Sequence, residues 1–192
     1  MHLARLALRT AIGGLFIGHG TQKLFGSFGG PGIAGTEGVM EALGMRPARQ
    51  HAYAAGVTEA GGGALLALGL ATPLASAGLI GVMVTAIRKV HWPKGPWVTN
   101  GGYEYNLVLI AALAALAESG PGAFSLDRAR GRERHGARYG LGALALGALA
   151  STAAVEYGRR SAPAEAAPST EPPAMVDLTD GVETEADTDA PT

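Results

Sequence analysis

An all-α bundle of transmembrane helices is the fold class this sequence predicts, and three observations predict it. Hydrophobic residues make up 47% of the chain and charged ones 16%, against about 25% charged in an ordinary soluble domain. Apolar stretches of roughly 17–25 residues, long enough to cross a bilayer, recur along it. Thirty glycines and repeated alanine runs supply small side chains, which let helices approach closely where packing rather than the hydrophobic effect drives association.

Five spans are expected. The first runs from Leu3 to Leu24, with Arg5 and Arg9 placed to snorkel from its first turns. The Gly-rich loop Gly26–Gly35 follows, then a short segment, Thr36–Leu43. Thr36 is read as its N-cap and Gly44 as its C-cap. Val39, Met40 and Leu43 share one face of this segment, as in a helix lying on the bilayer surface. The second and third spans, Ala48–Leu70 and Leu74–Val90, are joined by the tight turn Ala71-Thr72-Pro73 and must be antiparallel neighbours. Loop Trp92–Gly102 carries Trp92 and Trp97, which suit the membrane interface. The fourth span covers Tyr103–Ala117 and the fifth Tyr139–Val155. Residues 1–127 thus form a four-helix membrane core, 128–138 a basic loop, 139–157 an extra transmembrane helix, and 158–192 an acidic Pro/Ala-rich tail.

Charge divides the same way. Residues 1–160 hold all 15 Lys and Arg against 8 acids, a net +7; residues 161–192 hold 8 acids and no base. Such a tail buries too little apolar surface to offset its ordering entropy, and disorder is expected there. Arg128, Arg130, Arg132, Arg134 and Arg138 crowd one loop, which the positive-inside rule places in the cytoplasm. Counting spans from it gives a cytoplasmic N-terminus, an external tail and a multi-pass protein of the cell membrane. The first apolar run, Thr10–Gly18, lacks a following A-x-A site and is read as a retained helix. Cysteine is absent, which excludes disulfides, thiol relays and thiolate metal sites on this chain.

Ionisable residues inside a bilayer are costly and mark functional sites by default. His19, Gln22 and Lys23 fall at i, i+3 and i+4 on the first helix. Arg88 and His91 fall at i, i+3 near the end of the third, and Tyr103, Glu104 and Asn106 open the fourth. Alternating helices bring these groups to one end of the bundle. Glu59 sits about ten residues into the second helix, roughly 15 Å deep, as the floor of a pocket rimmed by the others. Opposite charges should pair, as Glu59–Lys23 or Glu104–Arg88. Lys89, Lys94, Trp92 and Tyr103 equally suit interfacial anchoring, and Asn100-Gly101-Gly102 equally suits a simple turn. No metal site is expected, because no two of His19, His91, Glu59 and Glu104 show ligand spacing on one helix. Gly30–Gly35 matches G-x-G-x-x-G but follows a membrane helix rather than a strand, so it is not read as a dinucleotide site. Nothing in the chain points to nucleic acid.

These motifs resemble the DoxX family of bacterial membrane proteins. The resemblance spans Leu6–Asp127. It rests on His19-Gly20-Thr21-Gln22-Lys23-Leu24-Phe25-Gly26, on Gly29-Gly30-Pro31-Gly32 with Gly35-Thr36, and on Glu59 ahead of a glycine run. It continues through Asn100-Gly101-Gly102-Tyr103-Glu104-Tyr105, Gly120-Pro121-Gly122 and Ser125-Leu126-Asp127. It implies a four-helix core, from which the fifth helix and the tail depart. Some relatives are subunits of a thiosulfate:quinone oxidoreductase; others are similar to a mycobacterial membrane protein that works with soluble redox enzymes in oxidative-stress defence. The resemblance therefore implies a membrane component of a quinone-linked oxidoreductase system, with a quinone as possible cofactor and none intrinsic to the chain. Glu59 and His19 would carry protons. Gln22, Lys23, Arg88, His91, Asn100, Tyr103 and Glu104 would line the substrate site. The alternative is a membrane anchor that recruits soluble redox partners. A small-solute transporter fits less well, for no inverted repeat is visible.

Overall fold

The structure, a computed structural model, describes residues 2–161, and within these it is all helix and turn. The expectation of a disordered tail falls on residues outside the described ones, apart from its first few. Five long helices alternate in direction: α1 (His2–Phe25), α3 (Ala48–Leu68), α4 (Thr72–Ala86), α5 (Glu104–Ser119) and α7 (Ala137–Arg160). Two short helices join them, α2 (Gly32–Ala42) and α6 (Leu126–Ala129).

α1 and α3 form the tightest pair, and small residues are the reason. A Cβ added at Gly13 would lie 2.6 Å from the Gly63 carbonyl, and one at Gly63 would meet the backbone and Phe16 of α1. α3 ends where Gly69 takes a left-handed φ of 63°. Leu70 N–H then reaches the Leu65 carbonyl and Gly69 N–H the Leu66 carbonyl, closing the helix. α4 starts at Thr72 rather than Leu74, with Pro73 in its first turn, where a missing N–H costs nothing.

α4 is apolar around its whole circumference and sits at the centre, as such a helix must. Ser76, Leu79, Ile80 and Met83 are buried against α3, α5 and α7. α7 sets small residues against the bundle: Gly147 and Ser151 meet α4 and Gly140 meets α5, and all three are buried. The core runs through Ile12, Phe16, Leu66, Leu79, Ile80, Leu113 and Leu116. Around the outside the five helices expose large apolar side chains. Leu15, Val57, Leu74, Val108 and Leu149, one from each, are all more than half exposed. An apolar perimeter of this extent marks a surface made for lipid or a partner. By length and composition alone, Thr72–Lys94 and Ala137–Arg160 qualify as membrane spans.

Several expectations need correction. α2 begins at Gly32, so Thr36 is not its N-cap. Thr36 is buried inside the helix, its hydroxyl donating to the Gly32 carbonyl at 2.8 Å and lying 3.3 Å from the Lys23 carbonyl. Gly44 does serve the helix end, one position past the cap, with a φ of 67°. Arg9 does not snorkel: only 2% of it is exposed. α7 runs to Arg160, past the expected end of the fifth helix, and it is packed into the bundle rather than appended.

Candidate functional site: a buried ion pair between the first and third helices

Lys23 lies in the last turn of α1 and Glu59 in the middle of α3. α1 and α3 approach closely because Gly20 and Gly56 carry no side chain into the gap; a Cβ on Gly56 would stand 2.7 Å from Leu24. That proximity brings Lys23 Nζ to 2.6 Å from Glu59 Oε2. The Glu59 side chain is 4% exposed and the Lys23 side chain 27%. A buried carboxylate without a partner costs several kcal/mol, so each residue makes the other tolerable. α2 packs against both helices at this end, with the Thr36 hydroxyl 3.3 Å from the Lys23 carbonyl. Gln22 is half-buried beside it, against Gly30.

The other expected site residues do not join this pair. His19 is exposed on the outer face of α1. Arg88 is exposed and lies 3.4 Å from the hydroxyls of Ser151 and Thr152 on α7, not against Glu104. Glu104 instead accepts from the Val98 backbone N–H at 2.7 Å. His91 Nδ1 stands 2.6 Å from the Gly101 carbonyl, so that nitrogen carries the hydrogen. Tyr103 stacks on Trp92 with ring centroids 5.4 Å apart, and Asn100 is exposed at the end of a 3-10 turn, Val98–Asn100. These residues staple the Trp92–Tyr103 loop to itself. The cause is a π-helical turn, Ile87–His91, that continues α4. Widening a turn from i→i+4 to i→i+5 hydrogen bonds rotates the side chains beyond it about the helix axis, sending Arg88 toward α7 and His91 toward the loop. Two cavities among the described residues lie elsewhere. One is an apolar groove of about 410 Å³ whose lining includes Thr58, Gly62, Ala75, Gly78 and Leu146; the other is at the opposite end of the bundle.

That opposite end holds a polar centre missed by sequence reasoning. Arg9 donates to the carbonyls of Ala67 at 3.2 Å, Phe124 at 2.5 Å and Pro121. Asp127 is 5% exposed; its two oxygens accept from the Ala71 and Thr72 N–H groups at 3.0 and 3.3 Å. It thereby caps the start of α4 from a distant segment, a placement the helix dipole favours. The signal was present: an arginine inside an apolar run must find partners.

A buried ion pair held between antiparallel apolar helices, inside an apolar perimeter, defines a helical membrane protein in contact with the lipid bilayer. Residues 4–92, which take in α1 to α4, match the family model described as DoxX, and this segment of the chain is similar to the DoxX family of membrane proteins. No curated protein and no solved structure matches it.

Proposed function

We propose that this DoxX-like protein is a multi-pass subunit of a quinone-linked oxidoreductase system in the cell membrane, with five spans. Its role there is to hold and pass protons through the Lys23–Glu59 pair. The buried pair is the observation that carries the reading: a carboxylate 4% exposed, bonded to one ammonium group at 2.6 Å. A quinone takes up two electrons and two protons on reduction. Glu59 is a group able to accept or release a proton, and Lys23 is a donor able to bind a carbonyl oxygen or an anion. The apolar groove lined by Thr58, Gly62, Ala75, Gly78 and Leu146 suits an isoprenoid chain. Access to the pair runs through Lys23, whose side chain is 27% exposed while Glu59 is 4% exposed. With the arginine loop in the cytoplasm, the pair sits at the external end.

The test is binding of a soluble quinone analogue to the full chain in lipid nanodiscs, with and without co-purifying proteins. Binding that falls at least tenfold in Glu59→Gln, a variant that keeps the size and a hydrogen-bonding group, supports the reading. Absence of binding under both conditions overturns it. A second reading, an anchor for soluble redox partners, is favoured by the exposure of every arginine from Arg128 to Arg134. Cross-linking that recovers a redox enzyme through those arginines, with no quinone bound, selects it.

A further inference from the structure

We infer that the cavity at the arginine-loop end of the bundle is a binding site for the phosphate headgroup of an anionic phospholipid. The cavity measures about 250 Å³. It is lined by Arg5 of α1, by the turn Ser119–Gly122 after α5, and by Glu133 and His135. Its frame is rigid. Pro121 is held by Arg9, Gly136 N–H donates to the Glu118 carbonyl at 2.7 Å, and Gly120 and Gly122 take positive φ angles of 78° and 80°.

The donors suit a phosphate: Arg5 brings a guanidinium and His135 a ring N–H to the lining of one space. Glu133 is the one carboxylate in the lining, and Arg128 lies 3.3 Å from it and neutralises it. Arg130, Arg132 and Arg134 are exposed beside it and make no ion pair among the described residues. The positive field is therefore uncompensated at this mouth. What selects a lipid over a free anion is the apolar setting. Leu3 and Leu8 flank Arg5 on α1, Phe124 follows the turn Ser119–Gly122 and Leu141 opens α7, and all four are exposed. A ligand with a phosphate head and acyl chains satisfies both surfaces, as cationic sites at the membrane surface do for acidic lipids.

The experiment is native mass spectrometry of the full chain in detergent, titrated with phosphatidylglycerol, phosphatidylcholine and inorganic phosphate separately. The expected result is retention of phosphatidylglycerol at least tenfold over phosphatidylcholine. Arg5→Gln should weaken it about fivefold, the loss expected for one surface cation, and Arg5→Gln with His135→Gln further. Glu133→Gln should strengthen it, and Arg159→Gln at the other end should leave it unchanged. Equal retention of both lipids overturns the proposal, as does an unchanged preference in the Arg5/His135 variant. Inorganic phosphate binding as tightly as phosphatidylglycerol overturns the lipid assignment.

Discussion

Replacing Lys23 by Met removes the only partner that Glu59 has among the described residues and leaves the packing volume nearly unchanged. The carboxylate stays buried at 4% exposure, with Gly20 and Gly56 keeping α1 and α3 too close to admit much water. Breaking a buried pair from one side costs about 3–5 kcal/mol. Lys23 is partly open to solvent, so the lower end applies, about 3 kcal/mol. Glu59→Gln should cost less, since an amide desolvates more cheaply than a charge. The double variant should be more stable than the sum of the two losses predicts, by about 2 kcal/mol of coupling. The assay is reversible unfolding in mixed micelles by denaturing detergent, run on all four members of the cycle at one pH near neutral. A coupling below about 0.5 kcal/mol, the scatter of independent sites, would mean that the pair is solvated and carries no energetic weight. The proton-holding role would lose its physical basis with it.

The glycine run Gly61-Gly62-Gly63 supplies a second check. Gly63→Ala must push against the Gly13 carbonyl at 2.6 Å and the Ile17 nitrogen at 2.8 Å, costing about 1–3 kcal/mol. Gly61→Ala meets nothing within 4 Å and should be neutral or stabilising by up to about 1 kcal/mol; the same unfolding assay ranks them. Asp127→Ala strips two N–H groups of α4 of their acceptor and removes a negative charge near Arg9. A loss of at least about 2 kcal/mol is expected, with faster amide exchange at Ala71 and Thr72, and unchanged exchange there would contradict the capping role.

The helices were legible because apolar runs of spanning length leave few alternatives. The Lys23–Glu59 pair was legible because opposite charges in an apolar medium must meet. His19 was misplaced, although the sequence held the corrective signal. Gly13, Phe16 and Gly20 mark the face of α1 that meets α3, and His19 falls off that line. Arg88 and His91 were grouped on regular helical spacing, and the π-turn at Ile87–His91 breaks that spacing without any proline or glycine to announce it. The partners of Arg9 were invisible for a different reason. They are backbone carbonyls, which every residue has, and two of them lie more than a hundred residues away along the chain. The depth of α7 in the bundle comes from Gly147 and Ser151 facing α4. The sequence shows those as a small-residue run without naming the neighbour.

Arg9 and Lys23 are the two ends of one line on α1. Fourteen residues separate them, about 21 Å of helix, with Gly13, Phe16 and Gly20 between on the same face. Helices that pack through glycine and alanine have little to fix their sliding position, since neighbouring registers offer similar contacts. Here each end of the stripe carries a cation that finds its partner at a single position: Arg9 the carbonyls of Ala67, Pro121 and Phe124, and Lys23 the carboxylate of Glu59. A slip of one turn, about 5.4 Å, would break both sets at once and leave the buried Arg9 and Glu59 unpaired. Buried ion pairs are weak sources of stability but effective at specifying register, and that accounts for charges set into an interface otherwise built from small residues. It also bears on function. With α1 and α3 pinned at both ends, solvent reaches the Lys23–Glu59 pair through Lys23, the 27%-exposed member. The pinned interface thus keeps Glu59 buried while its partner stays in reach of solvent.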